Sequence, residues 1–241
     1  MKLPRGAVFT PDSFRFLRAL KRNNRREWFT AQRDRYEESV RRPLAELVEE
    51  LDARFARFAP EMTGDPKRSI FRIYRDVRFS SDKSPYKTHA ACWFFHRDAG
   101  KGVGGTNPHG GAGFYFHLEP GASLSAGGLW MPPAQSLRNI RQALADDHDG
   151  FARSIRSRGV KRRFGALNDE AVLRRVPRGF DADHPAAEWL RYRSFTMSSA
   201  LTPDEIVSPA LADTLERDYR TLLPFVRWLN SACGFPPATR R

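Results

Sequence analysis

Cysteine and long apolar runs are both scarce in this chain, and their scarcity narrows the class of protein. The 241 residues contain two cysteines, Cys92 and Cys233, far apart and in no metal-binding spacing. This usage indicates a reducing compartment and no disulfide framework. No apolar run approaches the roughly 18 residues of a membrane-spanning helix, and the first residues lack the apolar segment of a signal peptide. We therefore expect a soluble, cytoplasmic protein with no membrane partner.

Acidic residues are fewer than basic residues in this chain. The chain has 41 Lys and Arg residues against 28 Asp and Glu, which gives a formal net charge of +13 and a pI near 10.4. Such a balance favours anionic partners, which can be nucleic acid, phosphorylated small molecules or an acidic membrane surface. The alternative is that most of these arginines lie on the surface as solvated side chains and reflect genomic composition alone.

Internal repeats and clear linkers are absent, while apolar residues make up 40% of the chain. A chain of this length can bury roughly 70–75% of the surface it exposes when unfolded. We expect one α+β domain over residues 1–241. It would have N-terminal helices at 9–58, a sheet region at 68–131 and a mainly helical part at 136–235.

Helix signals cluster at both ends of the chain. Thr10 followed by Pro11 is typical of a helix start, and Asn24 with Glu27 resembles a capping arrangement for a second helix. Near the C-terminus, Thr202 and Glu205 form a capping-box pattern ahead of an amphipathic helix over residues 211–229.

Strand signals occupy the middle of the chain. Short segments rich in β-branched and aromatic residues are separated by turn residues, which favours an antiparallel sheet. The predicted strands cover residues 70–79, 88–95, 114–118, 123–130 and, near the C-terminus, 189–197. Gly127 and Gly128 within the fourth segment indicate a bulge or a close backbone contact.

The tract at residues 72–88 carries the strongest candidate site. Arg75 falls on the apolar face of the predicted strand because side chains alternate between the two faces. A guanidinium group there needs a partner: either a structural salt bridge or a carboxylate or phosphate ligand. The candidate anion-binding residues are Arg72, Arg75, Arg78, Lys83, Lys87, Tyr74, Tyr86, Tyr115 and Asp76.

Other motifs are weaker. The glycine-rich segment at residues 100–113 lacks the Gly-Lys-Ser/Thr ending of a phosphate-binding loop. Ser80 with Lys83, and Ser84 with Lys87, match the serine–lysine spacing of penicillin-binding enzymes, but Pro85 disfavours the helix that this chemistry needs. The six histidines show no metal-ligand spacing, and His117 suits a hydrogen-bonded position in a sheet. We expect neither cofactor nor metal ion, the alternative being a metal site assembled only in space.

Several segments together carry a resemblance to a known family. They are Asn23-Asn-Arg-Arg-Glu-Trp-Phe29, the tract Arg72-Ile-Tyr-Arg-Asp-Val-Arg-Phe-Ser-Ser-Asp-Lys-Ser-Pro-Tyr-Lys-Thr88, Gly113-Phe-Tyr-Phe and Gly127-Gly-Leu-Trp130. The chain resembles domain of unknown function 2461 (DUF2461), a bacterial and fungal family, from about residue 9 to about residue 230. The resemblance implies no catalytic residue, so the question of enzymatic activity stays open.

Three functional hypotheses follow from these patterns. The first is binding or processing of an anionic, phosphate- or carboxylate-bearing small molecule by the tract. The second is a nucleic-acid-binding module that also uses Arg174, Arg175 and residues 153–163, where six cations occur without an acid. The third is a non-catalytic scaffold in which the tract is a structural salt-bridge network. Guanidinium groups that converge on an open pocket favour the first, a long groove the second, and sealed ion pairs the third.

Overall fold

Helices precede and follow a five-stranded antiparallel sheet in the computed structural model, which describes residues 6–78, 80–99 and 110–238. The predicted α+β class is therefore confirmed. Phe79 of the tract, His109 and most of the glycine-rich segment lie outside the described residues.

The N-terminal helices begin where the sequence predicts a cap. The Thr10 hydroxyl accepts from the Asp12 backbone N–H and forms a capping box with Ser13 at the start of the first helix. The bounds are α1 Pro11–Arg22, α2 Arg26–Ala31, α3 Arg33–Tyr36, a π-helical turn Glu37–Arg41 and α4 Arg42–Phe58.

The five strands follow one another in space in the same order as in sequence, and every neighbouring pair is antiparallel. The bounds are β1 Met62–Thr63, β2 Ala90–His96, β3 Gly113–Leu118, β4 Leu124–Leu129 and β5 Phe195–Ala200, with a 3₁₀ turn at Arg97–Ala99. Gly128 makes the close backbone contact expected of this pair of glycines, since it lies directly against Phe195 and Thr196 of β5.

The C-terminal part is mainly helical. The bounds are α5 Ala134–Asp146, α6 His148–Arg156, α7 Arg158–Arg163, α8 Ala187–Leu190, α9 Pro203–Ile206 and α10 Leu211–Ala232. The predicted capping box of Thr202 and Glu205 is present at the start of α9, and the predicted amphipathic helix is confirmed as α10.

One face of the sheet packs against α4 and α10. Phe55 of α4, Phe114 of β3 and Tyr219 of α10 are fully buried there, with Phe114 stacked on both neighbours at ring distances of 5.7 and 4.7 Å. Aromatic packing of this kind fixes the position of the sheet relative to the helices. Side chains alternate along a strand, so Tyr115 and His117 of β3 lie on the opposite surface, hereafter the second face.

Three expectations about local structure are wrong. Residues 70–78 form no regular strand and make only isolated bridges, Ile70 with Cys92 and Tyr74 with Tyr86. The predicted strand at residues 189–197 begins only at Phe195, because Trp189 belongs to α8. Asn24 does not cap α2: the N-cap is Arg25, without a side-chain hydrogen bond. The reason is that the Asn24 side chain is engaged elsewhere, as described below.

Candidate functional site

The basic tract folds back on itself as an irregular antiparallel hairpin. The Arg75 N–H donates to the Pro85 carbonyl at 2.9 Å and the Lys87 N–H donates to the Ile73 carbonyl at 2.7 Å. The Phe71 N–H then donates to the carbonyl of Ala91 in β2. We call residues 69–78 and 80–88 the basic hairpin. It continues the edge of the sheet beyond the two-residue strand β1.

Asn24 and Phe29 hold the basic hairpin against the N-terminal helices. The Asn24 side chain donates to the Tyr86 carbonyl at 2.8 Å and accepts from the Tyr86 N–H at 3.0 Å. The Tyr86 ring is buried and stacks on Phe29 with ring centroids 4.1 Å apart. Tyr86 is therefore an anchor of the hairpin, and burial raises the pKa of its phenol.

Tyr74, unlike the buried Tyr86, is an exposed side chain of the hairpin. It is 52% exposed, and it lines two clefts. Tyr74 thus separates two cavities that are both lined by cations.

The larger cavity, the Lys83 cleft, has a volume of about 560 Å³. Its lining, as far as the structure describes the chain, contains four cationic side chains and no carboxylate. The lining residues are Asn24, Arg25, Arg26, Thr30, Tyr74, Arg75, Val77, Lys83, Pro85 and Tyr86. Four residues of the predicted site therefore meet here: Tyr74, Arg75, Lys83 and Tyr86.

The smaller cavity, the Arg72 cleft, has a volume of about 230 Å³. It is lined by four further cations with one carboxylate, Glu37, and by aromatic rings. The lining residues are Phe29, Arg33, Tyr36, Glu37, Arg41, Lys67, Ile70, Phe71, Arg72, Ile73 and Tyr74. Arg72 and Tyr74 are the members of the predicted site in this cleft.

Arg75 and Arg78 have carboxylate partners within the hairpin itself. Arg75 pairs with Asp82, and Arg78 forms a two-point contact with Asp76. Hydrogen bonds from Ser84 and Arg75 lower the pKa of Asp82 to about 2, and those from Arg78 do the same for Asp76. Arg75 is only partly buried, not sealed beneath the sheet, so these are exposed pairs whose contribution to stability is small.

Lys87 and Tyr115 of the predicted site lie apart from the two clefts, near the second face of the sheet. The Lys87 ammonium lies 5.5 Å from the centre of the Phe71 ring, and that ring contacts Tyr115 edge-on at 6.1 Å. Burial, together with the nearby charge of Arg72, lowers the pKa of Lys87. The nine predicted residues therefore do not converge on one pocket.

A polar cluster that the sequence patterns missed is centred on His117. The Tyr115 hydroxyl lies 2.9 Å from His117 Nδ1, and Glu119 Oε2 lies 3.0 Å from His117 Nε2. The His89 ring stacks obliquely on His117 with ring centroids 4.4 Å apart. Burial is the main cause that lowers the pKa of His89 to about 4. His89 is therefore neutral at physiological pH.

The register of β2 and β3 explains why these residues meet. Ala91 pairs with His117 and Ala90 with Leu118, so His89, just before β2, comes beside His117 and Glu119 at the end of β3. The alternation of Tyr115, His117 and Glu119 with buried residues was a visible signal in the sequence. The partner strand of His89 was not, because register cannot be obtained from a single strand.

The cationic segment at residues 153–163 is partly structural. Arg163 forms a two-point salt bridge with Asp218 of α10, whose side chain is almost fully buried. Arg156 packs over the Trp189 ring at 5.1 Å. Among the described residues, these two arginines are committed to the fold and leave a smaller basic surface than the sequence predicts.

None of the described helices combines the length and apolar character that crossing a membrane requires. The comparison with curated proteins gave no match, and the comparison with solved structures gave none either. A family model described as conserved hypothetical protein (DUF2461) matches residues 12–228, which is most of the chain. The resemblance found in the sequence is thereby confirmed, and the chain belongs to the DUF2461 family of conserved hypothetical proteins.

Proposed function

We propose that this protein binds an anionic, phosphate-bearing small molecule in the Lys83 cleft. One observation carries the proposal: among the described residues, four cationic side chains, two tyrosines and no carboxylate line a cleft of about 560 Å³. Cavities between roughly 300 and 1,000 Å³ are typical of small-molecule sites. A phosphate group with several oxygen acceptors suits guanidinium and ammonium donors.

The cationic side chains of the cleft differ in whether a carboxylate already binds them. Arg25 and Arg26 are exposed at the start of α2, and neither makes a salt bridge with another described residue. Within the described part of the chain, the Lys83 ammonium donates only to the Val77 carbonyl, at 2.9 Å. Arg75 also lines the cleft, but it is already paired with Asp82. Three cations without a carboxylate partner among the described residues and one paired guanidinium make an electrostatic clamp.

The test is calorimetric titration with pyrophosphate, and with citrate as a carboxylate-bearing probe. Replacing Arg26 or Lys83 by alanine should weaken pyrophosphate binding about tenfold or more, since each change removes a charge-assisted hydrogen bond. Arg175→Ala is the matched control, because it removes one exposed arginine far along the chain from the cleft residues. Absence of millimolar binding, or an equal loss in Arg175→Ala, contradicts the proposal.

A second candidate function is binding of single-stranded nucleic acid. The observation that favours it is the exposed Tyr74 between two cation-lined clefts, since a base can stack on the ring while the backbone runs through both. The Arg72→Ala variant separates the two functions. A small ligand in the Lys83 cleft leaves Arg72 untouched, whereas a strand that occupies both clefts loses affinity in Arg72→Ala and in Lys83→Ala alike.

Salt dependence gives an independent distinction. Binding of a strand that neutralises several phosphates falls steeply and linearly with the logarithm of salt concentration, with a slope of about −0.7 per phosphate contacted. A dT12 oligonucleotide measured between 50 and 300 mM salt by fluorescence anisotropy reports this slope. A slope near zero for the oligonucleotide excludes the second function.

A further inference from the structure

We propose that His89, His117 and Glu119 form a binding site for a divalent transition-metal ion such as Zn²⁺. One potential ligand atom from each of the three residues lies within 4.8 Å of the other two. The site is on the second face of the sheet, and its three residues do not belong to the lining of either cation-lined cleft. It therefore stands independently of the proposed anion binding.

The donor set fits this class of metal ion. Two imidazoles and one carboxylate are ligands of zinc and related ions, and three protein ligands are typical of sites that keep a position open. Ligand atoms 2.0–2.1 Å from a tetrahedral ion are roughly 3.3 Å apart. His117 Nε2 and Glu119 Oε2 already lie 3.0 Å apart, so the remaining adjustment falls mainly on the His89 ring.

Tyr115 adds the kind of support that metal-bound histidines require. A ligating histidine nearly always donates its other ring N–H to an acceptor, which fixes the tautomer and the direction of the ring. The Tyr115 hydroxyl oxygen lies 2.9 Å from His117 Nδ1 and can accept that proton. His117 Nε2 then presents its lone pair on the side where Glu119 lies, and a cation between the two satisfies both.

His89 distinguishes this arrangement from a plain hydrogen-bonded chain of Tyr115, His117 and Glu119. The chain by itself satisfies both ring nitrogens of His117, but it gives His89 no role. Among the described residues, His89 makes no hydrogen bond, although its ring lies against that of His117. A partly buried imidazole with free ring nitrogens beside a second imidazole and a carboxylate is accounted for by a shared ion.

The fourth position of a tetrahedral ion held by these residues would be open to water or to an oxygen atom of a ligand. Lys87 is the nearest cation of the basic hairpin along the chain, two residues before His89, and it is half-buried. An anionic oxygen donor at the open position would have this ammonium as a neighbour. The class of ligand that the site would take is therefore an oxyanion or a carboxylate.

The experiment uses the full chain, freed of any affinity tag and stripped of metal with EDTA. Titration with Zn²⁺ by calorimetry, and with Co²⁺ by visible absorption, should give one ion per chain. His89→Ala and Glu119→Ala should lower the Zn²⁺ affinity by about 100-fold or more. Tyr115→Phe should lower it by about tenfold, because it removes only the partner of a ligand.

His148→Ala is the matched control, since His148 and His184 form another neighbouring histidine pair, with rings 6.0 Å apart. The control should bind Zn²⁺ as tightly as the unaltered protein. Where an alanine variant fails to fold by circular dichroism, His89→Gln and Glu119→Gln take its place. The absence of stoichiometric binding, or an equal loss of affinity in His148→Ala, overturns the proposal, as does unchanged affinity in the His89 and Glu119 variants.

Discussion

The basic hairpin and the cluster of His89, His117 and Glu119 are neighbours in the molecule but differ in how their side chains are placed. In the basic hairpin, residues close in sequence diverge: Arg72 lines one cleft, while Arg75 and Lys83 line another. In the cluster, residues that are 28 or more positions apart converge because β2 and β3 pair in a fixed register. The hairpin has isolated bridges, whereas the cluster rests on a continuous ladder.

This difference teaches that the density of charge along a chain is a poor guide to where a site forms. The cations of the hairpin repel one another, and an irregular hairpin has the freedom to separate them or to give them local carboxylate partners. A regular sheet has no such freedom, so it can hold two imidazoles and a carboxylate together. We expect the two regions to respond independently to substitution, since local openings and global unfolding expose different amides.

We expect the largest effect from a substitution of Gly128, where β4 lies directly against β5. Gly128 has φ of +127°, and an added Cβ would collide with the Phe195 carbonyl oxygen and lie 2.9 Å from the Thr196 Cα. We expect Gly128→Ala to lower the free energy of unfolding by about 3 kcal/mol or more, through backbone strain and overpacking. Denaturant unfolding measures the loss.

Hydrogen exchange in the same variant compares the basic hairpin with the sheet that carries the cluster. Protection of the β2 and β3 amides should fall with global stability, while the Arg75 and Lys87 amides of the hairpin, which open locally, should exchange at nearly unchanged rates. Gly121→Ala is the control: its φ is also positive, at +84°, but nothing lies within 4 Å of the added Cβ. Equal losses of stability in the two variants would show that strain alone, not the strand contact, dominates.

The second expected effect is the converse, release of the hairpin with little change in the sheet. Asn24→Ala removes both hydrogen bonds to the Tyr86 backbone, and a buried backbone group left without a partner costs about 1–3 kcal/mol. The Arg75 and Lys87 amides should exchange faster, whereas the amides of β3 should change little. Hydrogen exchange followed by mass spectrometry resolves the two segments.

Asn23→Ala is the matched control for this prediction. The Asn23 side chain donates to the Ala19 carbonyl at the end of α1 and has no contact with Tyr86 among its hydrogen bonds. Its removal should leave exchange in the hairpin unchanged. If both variants accelerate hairpin exchange equally, the anchor lies in the loop as a whole and not in the Asn24 side chain.

Much of the fold could be predicted from local signals. Thr10 and Thr202 mark helix starts through caps that act within three residues, and the alternation in β3 follows from the pleat alone. Asn24 shows the limit of such signals. Its spacing to Glu27 matches a cap, but the structure uses the side chain on Tyr86, 62 positions away, and no local pattern contains that partner.

The candidate site could be predicted only in part for the same reason. Alternation correctly separated the exposed Arg72 and Tyr74 from the buried Ile73. The assumption of a regular strand placed Arg75 too deep, since the segment is an edge hairpin. The pairing of His89 with His117 depends on strand register, which the sequence of either strand leaves open.

We expect the smallest effect from a substitution of Asp82 in the basic hairpin. Asp82 competes with any anionic ligand for Arg75, so Asp82→Asn should leave stability at neutral pH nearly unchanged, because the pair is exposed, and should tighten pyrophosphate binding by about fivefold at most. Zn²⁺ binding should not change.

The folded-state pKa of Asp82, about 2, lies below its ordinary value of 3.8. The stabilisation it provides is therefore present above about pH 4 and is lost as the pH falls toward 2.

Thermal unfolding at several pH values shows whether the stabilisation by Asp82 is lost as the pH falls. The midpoints of the unaltered protein and of Asp82→Asn should differ slightly at pH 5 and converge between pH 4 and pH 2, because protonation removes from Asp82 the charge that asparagine already lacks. A midpoint difference that grows as the pH falls would mean that Asp82 is not the group that titrates. Weaker pyrophosphate binding in Asp82→Asn would mean that Asp82 orients Arg75 for the ligand instead of competing with it. In that second case the hairpin would be a more organised site than its irregular backbone suggests, and would resemble the cluster on the sheet more closely.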